Sequence, residues 1–104
     1  MMPSLAGGDR AAGAFRVTER GWRFDGALTL DNAAQVFAAS KAAPLPASGA
    51  IDFSGMTHAD SSALAVAIAL KRRATIEGCA LSIEGLPQSL RTLGIVYGVE
   101  NLLD

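Results

Sequence analysis

Apolar and polar positions alternate in two short runs, Phe15 to Arg20 and Trp22 to Ala27. A period of two belongs to a half-buried strand, and Arg20-Gly21 between the runs predicts a tight turn, so the pair reads as a β-hairpin. Leu28-Thr29-Leu30 then leads to Asp31 or Asn32, both good N-cap types, and Ala33, Ala34, Val36, Phe37 and Ala38 predict a short amphipathic helix ending near Lys41. Pro44 to Gly49 breaks the pattern as a loop. Ala50 to Phe53 reads as a short buried strand, followed by a polar turn. From Ser61 to Glu77 the periodicity is mixed, because Leu64, Val66, Ile68 and Leu70 alternate with Ala as a strand would. The Ala content, the length, the polar start at Asp60-Ser61-Ser62 and Gly78 as a C-cap decide for helix. Cys79 to Glu84 predicts another strand, Pro87 opens a last helix through Tyr97, and Val99 to Asp104 reads as a short tail.

The order β-β-α-β-α-β-α predicts an α/β domain with a mixed, mostly parallel four-stranded sheet and right-handed crossovers. Met1 to Gly13 reads as a flexible N-terminal tail and residues 14–104 as one domain. At 104 residues the chain has room for one core. A single Cys excludes an internal disulfide and suits a reducing compartment. Nine basic against ten acidic residues argue against nucleic-acid binding, which needs a basic patch for phosphates. The longest apolar run, Ala63 to Leu70, falls far short of the roughly 20 residues of a membrane-spanning helix. The start of the chain lacks the apolar core of a signal peptide, so the expected location is cytoplasmic.

The usual catalytic constellations are missing. There is no phosphate-binding GxxxxGK[ST] loop, and one His with one Cys cannot make a zinc cluster from those ligands alone. Ser61 or Ser62, His58 and Asp60 lie too close in sequence for the usual triad geometry, and no nucleophile elbow surrounds them. The expectation is therefore a protein without catalytic residues, metal, cofactor or small-molecule substrate.

What stands out is Met56 to Leu64, a polar turn that opens a helix. N-capping by Asp60 or Ser61 explains it in structural terms. A hydroxyl at a helix N-terminus is also a favourable place to add phosphate, which makes Ser62 and Ser61 candidate phosphorylation sites. Along the helix, Ala63, Val66, Ala67, Leu70 and Ala74 form one apolar stripe, assigned to the core. Leu64, Ile68 and Thr75 form a second, with Ser61 and Arg72 at one edge and Lys71 at the other. That second stripe either packs on a neighbouring helix or is partly exposed and meets a partner protein.

These residues carry a resemblance. Ile51-Asp52-Phe53, the following loop and Asp60-Ser61-Ser62-Ala63-Leu64 resemble the signature of STAS domains, the fold of anti-sigma-factor antagonists. Lys71-Arg72-Arg73-Ala74, Glu84-Gly85-Leu86-Pro87 leading into Leu90 and Leu93, and Tyr97 to Leu103 are similar to the MlaB subgroup. The resemblance implies a STAS fold with helices predominantly on one sheet face. It also implies an auxiliary subunit that binds the ATPase of an Mla-type ABC transporter, on the cytoplasmic side of the inner membrane and without inserting into it. Such transporters move phospholipids between the two membranes of Gram-negative bacteria and maintain outer-membrane lipid asymmetry. Ser61 matches a hydroxyl position that matters at the ATPase contact in MlaB-type proteins. Ser62 matches the serine phosphorylated in antagonists, but Ala63 follows it where antagonists usually have Gly, which leans away from a phospho-switch. The expected partner-binding residues are His58, Asp60, Ser61, Ser62, Leu64, Ile68, Lys71 and Arg72, with Leu64 and Ile68 as apolar anchors.

Overall fold

The computed structural model describes residues 13–103. β1 (Ala14–Thr18) and β2 (Gly21–Leu28) form the hairpin, with Thr18 opposite Gly21, so the turn is Glu19-Arg20, one residue earlier than the pattern predicts. β2 pairs in parallel with β3 (Ser48–Ala59), and β3 with β4 (Ala80–Glu84), giving the order β1-β2-β3-β4. The intervening helices are α1 (Ala33–Lys41), α2 (Ser61–Glu77) and α3 (Gln88–Val96). This is the mixed, mostly parallel α/β architecture expected.

Trp22, Phe24, Leu28, Ile51, Phe53, Leu81 and Ile83 are buried on the helix-bearing side of the sheet. Against them pack Val36 of α1, Ala63, Val66, Ala67, Leu70 and Ala74 of α2, and Leu90 of α3. The predicted first stripe of α2 is thus in the core. Its alanines remove side-chain bulk and let the helix lie close to the strands. The other sheet face carries charge instead of helices. Arg16 pairs with Asp25 at 2.9 Å, Arg23 with Asp25 at 2.8 Å and with Asp52 at 3.3 Å, and Arg20 with Glu84 at 3.0 Å.

Three expectations need correction. β3 is 12 residues long and includes Met56, Thr57 and His58, which the sequence presents as a turn. It gains one residue on β2 between Asp52 and Gly55 and another between Met56 and Ala59; such bulges let a polar stretch continue as strand. Asn32 does not cap α1 through its side chain. Its amide instead closes the β2–α1 turn, accepting from the N–H of Thr29 at 2.9 Å and donating to the carbonyl of Ala27 at 2.8 Å. The C-terminal tail folds as a short 3₁₀ helix (Glu100–Leu103) that buries Leu103. The expected N-terminal tail lies outside the described residues except for Gly13, whose N–H donates to the carbonyl of Ala27.

Candidate functional site

Asp60 organises the start of α2. One carboxylate oxygen accepts the N–H of Ser62 at 2.8 Å, which caps the helix as its sequence type predicts. The other accepts the N–H of Leu30 at 2.9 Å, from the turn before α1. These backbone donors, Leu30 first, hold the Asp60 carboxyl below the usual carboxylate range. The second bond pins Leu30 beside the helix start with its side chain 80% exposed. Leu30 has no place in the sequence reading beyond its position ahead of a cap; an apolar residue isolated in a polar turn was the signal available.

Ser61 is exposed on the outward side of α2, Ser62 is half-buried, and His58 is exposed at the end of β3 with its Nδ1 3.3 Å from the Thr57 hydroxyl. Because Asp60 is engaged by two backbone N–H groups and His58 faces Thr57, the three do not form a relay. Among the described residues, no group of three or more His, Cys, Asp or Glu side chains is arranged to hold a metal ion. Nor is any helix there long and apolar enough to cross a membrane.

The second stripe of α2 divides. Leu64 is only 3% exposed and is covered by α3 and the 3₁₀ helix, so it is not a surface anchor. Gly94 of α3 marks where they meet: a Cβ built there would lie 3.9 Å from methyl groups of both Leu64 and Leu103, an ordinary packing distance. Ile68 is half-buried and, with Arg72, Ile76 and Leu102, borders a shallow cleft of 310 Å³. Lys71 is half-buried and lines the same cleft, with its Nζ donating to the carbonyl of Leu81 in β4. Arg72 is exposed.

Within the Lys71-Arg72-Arg73 run, the side chain with the most structural contacts is Arg73. Its guanidinium donates to the carbonyls of Ser40 at 3.0 Å and Ala43 at 2.9 Å, at the C-terminal end of α1, and pairs with Glu77 at 2.7 Å. It therefore closes α1 and locks it to α2, a role invisible in the sequence because its acceptors are backbone atoms some 30 residues away.

No curated protein matches the chain. A family model described as "Mlab, STAS domain" matches residues 22–104, from Trp22 of β2 through the 3₁₀ helix. The chain belongs to the STAS family, in its MlaB-type form.

Proposed function

We propose that this protein is a non-catalytic auxiliary subunit that binds the ATPase of an Mla-type ABC transporter. In that role it supports assembly and activity in phospholipid transport between membranes, from the cytoplasmic face of the inner membrane. The observation that carries the reading is that Asp60, immediately before the exposed Ser61, also holds the backbone N–H of the exposed Leu30. This arrangement offers an apolar side chain and a hydroxyl at a rigid helix start, and Ala65 and Arg72 continue the same exposed line along α2. A large apolar anchor with a polar rim is the composition of a protein-binding patch. STAS domains are generally non-catalytic, which agrees with an adaptor.

Co-expression with an Mla-type ATPase tests this. The wild-type chain should co-purify with it, and Ser61→Asp and Leu30→Asp should each reduce recovery at least about tenfold, the effect of removing a central contact. Undiminished recovery of both variants would overturn the assignment of this surface, and failure of the wild-type chain to bind would overturn the partner. The other reading, an anti-sigma-factor antagonist switched at Ser62, is not favoured. Ser62 is half-buried, its backbone N–H is taken by Asp60, and Ala63 behind it is in the core. Phosphate on Ser62 that abolishes partner binding, detected by mass spectrometry after incubation with a kinase anti-sigma factor, would reverse that preference.

A further inference from the structure

The two edges of the sheet are finished differently. At β4, Lys71 Nζ donates to the carbonyl of Leu81 and Arg91 Nη2 to that of Ile83 at 3.5 Å, so cationic side chains occupy the open edge. Such covering is how sheets discourage pairing with other chains. At β1, Thr18 and Gly21 close a two-residue turn, and Val17 and Phe15 face Trp22 and Phe24. The closing pair of such a hairpin exchanges both hydrogen bonds, and bonded and unbonded pairs alternate from there. The N–H and C=O groups of Phe15 and Val17 therefore point away from β2, and none of the described residues bonds to them.

The side chains of these same two residues border a cleft of 690 Å³ between β1 and α1, with Trp22, Gln35, Ala39 and Ala43 also lining it. Val17 is 77% exposed there. A strand placed about 4.8 Å beyond β1 would lie in this cleft, with alternate side chains beneath the small residues of α1. A second copy of the chain is a poor occupant. The symmetric antiparallel register that sets Phe15 opposite Val17 also sets Arg16 directly against Arg16 of the other copy, and like charges in that position are destabilising. Arg16 ends the ion-pair ladder of the outer face: its one carboxylate, Asp25, is shared with Arg23. An acidic residue across the edge would continue that ladder.

We propose that the β1–α1 cleft is a strand-addition site, taking an extended segment of another protein as a fifth strand along β1. The segment places an acidic residue opposite Arg16 and apolar residues opposite Phe15 and Val17. Backbone hydrogen bonds supply the affinity and the cleft supplies the side-chain preference. The site lies apart from the start of α2 and does not depend on the identity of the partner there.

The probe is a blocked peptide, Ala-Phe-Glu-Val-Thr, added to the full chain. Trp22 is the only tryptophan and lines the cleft, so its emission reports occupancy. Titration should give a saturable change in that emission and move the NMR amide resonances of Phe15 and Val17. N-methylation of the peptide at Phe and Val removes two backbone donors and should weaken binding at least about tenfold. Arg16→Glu should weaken the original peptide and restore binding when the peptide's Glu is replaced by Arg. Equal binding of the N-methylated peptide would make the cleft a plain apolar pocket and overturn strand addition, as would the absence of any saturable change. Dimerisation of the free chain with protection of the Phe15 and Val17 amides would give the site to a second copy. Binding that appears only after removal of residues 1–12 would give it to the chain's own N-terminal segment. Either result overturns the proposed occupant.

Discussion

The Asp60 carboxylate accepts the backbone N–H of Leu30 at 2.9 Å across a separation of 30 residues while also capping α2. One side chain thus joins the turn before α1 to the start of α2. The exposed residues Leu30 and Ser61 both adjoin it.

Asp60→Ala removes a helix cap and an inter-element hydrogen bond together. The expected loss is about 1–3 kcal/mol, measured by urea denaturation. Amide exchange at Leu30 and Ser62 should accelerate beyond the global change, and a loss confined to α2 would disprove the link to Leu30.

Acid should erode this stability. Asp60 is held down by the N–H groups of Leu30 and Ser62, Asp25 by Arg16 and Arg23, and Asp52 first by the N–H of Ser54. A carboxylate whose pKa is lower in the folded state stabilises fully above its ordinary value of 3.8 and loses that contribution as pH falls through the folded pKa. The urea midpoint is expected to fall as pH drops below about 4. Asp60→Ala should flatten that acid limb; a limb as steep as the wild-type one would assign it to Asp25 and Asp52.

Ser61 and Leu64 separate binding from folding. Leu64→Ala empties a buried site and should cost about 2–5 kcal/mol in thermal or urea unfolding. Ser61→Asp adds an acid to a first turn that has none and should leave stability unchanged or raise it by about 0.3–1 kcal/mol. A cooperative melt at or above the wild-type temperature checks that any loss of partner binding in this variant is a surface effect.

Arg73→Met is expected to destabilise by about 2–3 kcal/mol, because carbonyls at the end of α1 lose a charged donor. Hydrogen exchange should show the loss concentrated in α1. Arg73→Lys should recover only part of it, since an ammonium cannot span the Ser40 and Ala43 carbonyls as the guanidinium does. Full recovery by Lys would reduce the role of Arg73 to its charge.

Local signals specified much of the fold. Asp60 at the start and Gly78 at the end bound α2 as their types predict, with Gly78 at φ 74° in the left-handed region that glycine adopts without strain. The core stripe of Ala63, Val66, Ala67, Leu70 and Ala74 followed from helical spacing. β3 did not, because Ser54 to Ala59 is polar and is held as strand by neighbouring strands and bulges rather than by its own propensity.

By itself the sequence determined the α/β alternation, the helix limits and the composition of the core, since these depend on capping, periodicity and burial within each element. Tertiary structure decided which polar and apolar groups are available. It covered Leu64 with α3, spent Lys71 on β4 and Arg73 on α1, exposed Leu30 and Ser61 on either side of Asp60 and, among the described residues, left the β1 edge unpaired. Those outcomes rest on hydrogen bonds and contacts between elements far apart in the chain, and spacing within one helix carries no information about what the neighbouring helix or strand will cover.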